Sequence, residues 1–260
     1  MLKGKTALVT GSTSGIGQGI AEALAAEGAN IVLNGFGEAA AIEALRAEIA
    51  AKNGVTVTYD GADMTKPAEI ARMVKDAEGQ FGAVDILVNN AGIQHVAPIE
   101  DFPEERWDAV IAINLSSAFH TTKAALPVMR GKGWGRVINI ASAHGLSASA
   151  NKSAYVAAKH GIVGLTKVTA LETGGSGVTC NAICPGWVLT PLVKKQIEAR
   201  AAASGKSYEE EKLALVAEKT PSKDFSTPAQ IGGLAVFLCS ASADQITGAP
   251  LSIDGGWMAQ

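Results

Sequence analysis

Four side chains in this sequence have the types and spacing to manage a proton on an alcohol or carbonyl oxygen. Tyr155 and Lys159 lie four residues apart in a segment that reads as a helix from near Ser153, so they share one face a turn apart. An ammonium that close favours phenolate and is expected to lower the tyrosine pKa, letting Tyr155 exchange a proton near neutral pH. Ser142 follows the apolar run Val137-Ile138-Asn139-Ile140. At a strand end, its hydroxyl can orient a carbonyl oxygen between itself and Tyr155. Asn114 falls mid-way along a helical stretch of about 103–130, where propensity disfavours asparagine, and a site role is one reason for it to be there. Singly, a Y-x-x-x-K pair is also an ordinary exposed helix face. The four in this order, at strand and helix ends, point to a site.

A second cluster has the form of a nucleotide turn. Thr10-Gly11-Ser12-Thr13-Ser14-Gly15-Ile16-Gly17 sits between a strand-like run and an apolar helix pattern. Its spacing is G-x-x-x-G-x-G, not G-x-G-x-x-G. Glycines there let backbone N–H groups approach a pyrophosphate at the positive end of a helix; a tight turn with no ligand would use them too. After the second strand comes Asn34-Gly35-Phe36-Gly37-Glu38, where an acid selects free ribose hydroxyls and an arginine accepts a 2′-phosphate. Neither loop has an Arg or Lys near the phosphate position, so NAD is expected over NADP, although the acid is missing too. Phe36 either covers the adenosine end or packs as a loop aromatic. Asp63, after the third strand, either accepts from the adenine amino group or serves as a helix cap or turn acid.

These groups need a scaffold, and the pattern supplies one. Strands are expected at 5–10, 31–33, 56–59, 86–88, 137–140, 178–183 and 250–253. Helices are expected at 16–27, near 38–52, from Pro67 onward, at about 103–130, and at 153–172 and 227–239, with Pro67 in the first turn of the third. Alternating strands and helices imply a doubly wound parallel α/β sheet with right-handed crossovers. The 260 residues fit one domain, 1–260, with no clear linker. Residues of about 187–225 interrupt the rhythm with two helices, near 191–203 and 207–219. An insertion at the carboxyl edge of a parallel sheet is either a mobile substrate lid or a surface excursion.

Composition narrows the partners. A net charge of -3 with no long run of one sign argues against a nucleic-acid binder. No stretch of 18 apolar residues exists, so no membrane span is expected. Three cysteines without a C-x-x-C pattern are neither a disulfide framework nor a metal site, and reduced thiols suit the cytoplasm. Met1 to Lys5 lead straight into a strand pattern, without the apolar core of a signal peptide.

The loops around the presumed site carry a further set. Gln94, His144, Lys152 and, on the lid, Gln196 offer one cation and several hydrogen-bond donors, a set suited to a small carboxylate. Trp187 and Trp257 are candidate apolar walls. Alternatively, Lys152 is a solvated loop lysine and His144 a satisfied loop histidine.

Taken together, the glycine turn, Asn89-Asn90-Ala91-Gly92, Asn114, Ser142, Tyr155 to Lys159 and Pro185-Gly186 closely resemble the short-chain dehydrogenase/reductase family over essentially the whole chain. That resemblance implies a Rossmann-type, seven-stranded sheet with helices on both faces and, often, a homotetramer. It implies that Gly11, Ser12, Thr13, Gly15 and Ile16 line the cofactor, that Asn90 lies along it, and that Pro185, Gly186, Val188 and Thr190 flank the nicotinamide. It further implies that Tyr155 is the acid/base, that Lys159 lowers its pKa and holds the nicotinamide ribose, that Ser142 positions the reacting oxygen, and that Asn114 supports a water linking Lys159 to solvent. Within the family, Gly92-Ile93-Gln94-His95, Ser142-Ala143-His144-Gly145, Asn151-Lys152-Ser153-Ala154-Tyr155 and Ile183-Cys184-Pro185-Gly186-Trp187-Val188 resemble the bacterial D-3-hydroxybutyrate dehydrogenases. That resemblance implies NAD-dependent interconversion of (R)-3-hydroxybutyrate and acetoacetate, with Gln94, His144, Lys152 and Gln196 on the carboxylate; another short-chain hydroxy-acid dehydrogenase or a 3-oxoacyl reductase is the alternative. The sequence departs from that group at Leu189 and Gln260, where arginine is expected, and at Lys223-Asp224, where an apolar–amide pair is expected.

Overall fold

The computed structural model describes residues 1–259; Gln260, one of the departures, lies outside them. Seven strands, β1 (Thr6–Val9), β2 (Asn30–Asn34), β3 (Val57–Asp60), β4 (Ile86–Asn89), β5 (Gly135–Ile140), β6 (Val178–Pro185) and β7 (Pro250–Ile253), form one sheet. The order is β3-β2-β1-β4-β5-β6-β7, and every pair is parallel. Strands buried on both faces need apolar residues at every position while alternating between two cores. Ala7 and Val9 join the core with α1 (Gly15–Ala26) and α9 (Pro228–Leu238), while Leu8 joins the opposite core with α3 (Pro67–Phe81) and α5 (Ser117–Gly131). Chain order reverses between β1 and β4, which opens a crevice at the carboxyl ends of these strands.

The remaining helices are α2 (Ala39–Asn53), α4 (Glu104–Ile111), α6 (Ser153–Glu172), α7 (Pro191–Ser204) and α8 (Tyr208–Ala217). The sequence led to one long helix over 103–130. The chain instead runs α4, a five-residue π-turn over Ala112–Ser116, then α5. The π-turn carries Asn114, and such bulges gather at functional sites. Helix α6 has the expected bounds, and Ala154, Ala158 and Ile162 repeat every four residues on its buried side. In the 187–225 excursion, Thr190 caps α7 and a Ser207–Glu210 capping box starts α8. Arg200 ties the two helices together through Glu211 at 3.0 Å and Glu218 at 2.9 Å. They close over their own small apolar cluster of Ile197, Leu215, Val216 and Phe225, which Leu189 joins. A single bridge between Val188 and Ser226 anchors the base of the excursion.

Candidate active site

The glycine turn and the start of α1 form one wall of the crevice. Gly11 sits at φ 61°, and a Cβ on it would lie 2.9 Å from the Ala91 Cα. A Cβ on Gly17 would lie 2.3 Å from the Gly11 carbonyl oxygen, so turn and helix approach closely only as glycine. The Ser14 side chain makes no capping hydrogen bond, and the first turn of α1 holds no acid. The helix thus points uncommitted N–H groups into the crevice. These features fit a dinucleotide pyrophosphate. A cavity of about 460 Å³ runs from here, past Phe36, Asp63 and Asn90, to Ser142, Tyr155 and Lys159, with Pro185, Gly186 and Thr190 on its far wall.

Most of the expected cofactor residues line this cavity: Gly11, Thr13, Gly15, Ile16, Phe36, Asp63, Asn90, Pro185, Gly186 and Thr190. Ser12 and Val188 do not. The Ser12 hydroxyl is buried and donates to the Val9 carbonyl at 2.7 Å while accepting from the Asn34 N–H at 3.0 Å; Val188 packs into the core. Phe36 is 70% exposed at the rim, which excludes a packed loop aromatic. Asp63 faces the cavity and is also a turn acid: it accepts from the Thr65 N–H at 2.9 Å and the Thr65 hydroxyl at 2.8 Å, contacts that hold its carboxyl below the ordinary range. Asn34 and Leu192 also line the cavity. A polar residue ending a buried strand was a readable signal for Asn34; nothing marked Leu192.

At the inner end, the Lys159 ammonium is buried and donates to the Ile140 carbonyl at 2.7 Å, 5.5 Å from the Tyr155 ring centroid. Burial lowers its pKa to about 8, with the Cys184 thiol pulling the other way. The spacing led to a lowered Tyr155 pKa. Instead, burial raises the phenol above its ordinary value, and the neighbouring Ser142 hydroxyl opposes this only in part. Desolvation penalises the phenolate, and the ammonium spends a hydrogen bond on a backbone carbonyl. Asn114 does not face the cavity. It accepts from the Ile93 N–H at 2.8 Å and donates to the Ile93 carbonyl at 3.0 Å, buttressing the loop beside Tyr155.

The expected carboxylate set is split between two cavities. Gln94 lines the first, whereas Lys152 and Gln196 line a second of about 360 Å³ with Trp187, Leu215 and Trp257. His144 stands between them. Its ring lies edge-on to Tyr155 at 5.9 Å and to Trp257 at 5.2 Å, and its Nε2 pairs with the Ser149 hydroxyl at 2.9 Å. Trp257 stacks on Trp187 at 6.5 Å, and the Lys152 ammonium lies 5.8 Å from the Trp187 ring centroid. Burial, reinforced by Lys152 and Lys219, lowers the His144 pKa to about 4, so the imidazole is neutral. Burial and Lys219 lower that of Lys152. Lys152 is half-buried, not a solvated loop lysine. Asn151 before it holds φ 65°, a left-handed conformation that asparagine tolerates, and this turns the lysine toward the second cavity. Leu215, Arg200, Glu218 and Lys219 also line this wall, and no local pattern marked them. Among the described residues, no group of three His, Cys, Asp or Glu side chains is placed to hold a metal.

Known proteins are similar to this chain over its whole length. A family model described as enoyl-(acyl carrier protein) reductase matches residues 11–258. The D-beta-hydroxybutyrate dehydrogenase of Cupriavidus necator is 68% identical over 100% of both chains. That of Rhizobium meliloti is 57% identical over 98% of this chain and 99% of its own. Among solved structures, the L-sorbose reductase of Gluconobacter frateurii, complexed with NADPH and L-sorbose, superposes with a TM-score of 0.95 at 30% identity, covering 100% of this chain and 98% of that one. The glycine turn, the Ser142–Tyr155–Lys159 cluster, the parallel sheet and these full-length matches establish that the chain belongs to the short-chain dehydrogenase/reductase family.

Proposed function

We propose that the protein interconverts (R)-3-hydroxybutyrate and acetoacetate with NAD. The observation that carries this reading is the Ser142–Tyr155–Lys159 cluster at the inner end of the dinucleotide cavity, with Gln94 on the same cavity and His144 edge-on to Tyr155. The relatives from C. necator and R. meliloti support the same substrate. A nicotinamide dinucleotide held by the Gly11–Gly17 turn, Asn90 and the Pro185–Gly186 wall would supply the two-electron hydride chemistry. The chain's residues do the rest. Lys152 and Gln196 bind the carboxylate once the 187–225 excursion closes and joins the second cavity to the first, with Gln94 and the neutral His144 imidazole beside them. Ser142 holds the reacting oxygen at Tyr155. In the reducing direction the phenol, kept protonated by burial, gives its O–H proton to that oxygen; in the oxidising direction the phenolate takes it back, with Lys159 beside it to stabilise the charge. Asn114 holds the Ile93 loop on which Gln94 follows. NAD is favoured because no Lys or Arg lines the cavity near Gly35, Phe36 and Asp63.

The rest of the proposal is that 1–260 works as one domain with the 187–225 excursion as a substrate lid. No helix among the described residues is long and apolar enough to cross a membrane. Buried free thiols at Cys180, Cys184 and Cys239 suit the cytoplasm, where we place it, and the family resemblance favours a homotetramer. The test is NADH formation from the (R) acid, the (S) acid and the neutral alcohol 2-butanol, with NAD and NADP at equal concentration. Rates far higher for the (R) acid with NAD are expected; equal rates on acid and neutral alcohol would remove the carboxylate site from the account.

A further inference from the structure

The loop after β2 is weakly fixed by its own sequence. Gly35 and Gly37 hold φ 145° and 158°, regions that glycine visits freely, and Phe36 between them is largely exposed. Neighbouring elements hold it instead. The Tyr59 hydroxyl on β3 donates to the Gly35 carbonyl at 2.7 Å, and the Thr13 hydroxyl donates to the Phe36 carbonyl at 2.9 Å. Asn34 accepts from the Gly11 N–H at 3.3 Å and donates to the Asp60 and Ala62 carbonyls, each at 3.0 Å. The turns after β1, β2 and β3 are thereby joined around one end of the first cavity. Gly61 leaves the space that the phenol needs: a Cβ there would lie 3.0 Å from the Tyr59 oxygen. Tyr59 is not part of the cavity wall, and its ring lies part-exposed on an edge strand.

We propose that Tyr59 is a positioning residue for the dinucleotide, acting through the Gly35 carbonyl to hold the Gly35–Gly37 loop in its binding conformation. The proposal rests on the NAD reading above. Many enzymes hold the adenosine ribose with a carboxylate at this place; here a neutral Asn34 amide spends its hydrogen bonds on backbone. Affinity then depends on a preformed loop, because a loop of two glycines that had to order on binding would give back part of the interaction energy. Tyr155 and Ser142 lie at the other end of the cavity, so chemistry is untouched.

Tyr59→Phe removes the hydrogen bond and keeps the ring. The KM for NAD and the Kd for NADH, read by fluorescence titration, are expected to rise about 3- to 10-fold, as for loss of one hydrogen bond. The kcat, the KM for the hydroxy acid and the Tm should stay unchanged. Gly61→Ala, which presses on the phenol, should move the same two constants in the same direction. Unshifted NAD and NADH constants in Tyr59→Phe, with a wild type that prefers NAD, would overturn the proposal alone. A fall in kcat, or equal rises in both KM values with a lowered Tm, would also overturn it, leaving a general structural role. Preference of the wild type for NADP would overturn the NAD reading and this proposal with it.

Discussion

Replacing Lys152 with methionine separates the proposed carboxylate site from the chemistry. The lysine ammonium is half-buried, and burial together with Lys219 already disfavours its charge. An arriving carboxylate relieves both penalties. Two unit charges about 4 Å apart at an effective dielectric of about 20 attract by about 4 kcal/mol, which is a ceiling. Glu218 on the same wall and the open mouth of the cavity bring the net value to the range of a hydrogen bond to a charged group, about 1.5–3 kcal/mol. At about 1.36 kcal/mol per factor of ten, the KM for 3-hydroxybutyrate should rise about 10- to 150-fold. The carboxylate keeps its charge throughout the reaction, so ground and transition states lose the same interaction and kcat should hold within about twofold. Methionine preserves the apolar stem against Trp187, so Tm should stay level. Because the ammonium is the binding form and its pKa is lowered, the wild-type KM for the acid should also climb with pH earlier than an ordinary lysine would cause. Steady-state rates against acid concentration, with NAD saturating, read both constants. A fall in kcat at constant KM, or an equal loss with 2-butanol, would refute the reasoning.

Two other perturbations have worked signs. The folded chain keeps His144 neutral down to about pH 4, while an unfolded histidine takes its proton near pH ~6.5. Between these values the unfolded state binds more protons, so stability rises with pH through this window by at most about 3 kcal/mol; urea unfolding at several pH values should show the slope, and His144→Gln should flatten it. A Cβ on Gly17 would press on the Gly11 carbonyl and on the Asn90 amide at 2.4 Å. Gly17→Ala should therefore destabilise the fold by about 1–3 kcal/mol and weaken NADH binding, both measurable by thermal shift with and without NADH.

The elements legible in the sequence were those whose pattern is local. Ile31-Val32-Leu33 and Ile86-Leu87-Val88 read as buried strands because a strand covered on both faces has no polar side. The four-residue step from Tyr155 to Lys159 kept its meaning because α6 starts at Ser153 and runs unbroken past both. The π-turn at Asn114 was hidden: one extra backbone residue in a turn leaves the apolar pattern of 103–130 almost unchanged. The split between Gln94 and the pair Lys152 and Gln196 was hidden too, since nearness of loops in the sequence does not say which cavity each side chain lines. The direction of the Tyr155 shift needed burial, which spacing does not report. Leu189 read as a lost arginine; in the structure it packs on the apolar cluster of the 187–225 excursion, a gain that only the packing of α7 on α8 reveals.

The central claim is that the Tyr155 hydroxyl exchanges the substrate proton while the dinucleotide is held by other groups. Tyr155→Phe removes that oxygen and leaves the ring against His144. Its kcat for (R)-3-hydroxybutyrate with NAD should fall by about 10²- to 10⁴-fold, the range for a positioned acid–base group, with the NADH Kd within about twofold of wild type. Turnover within a few-fold of wild type in that variant, with NADH binding intact, would contradict the account.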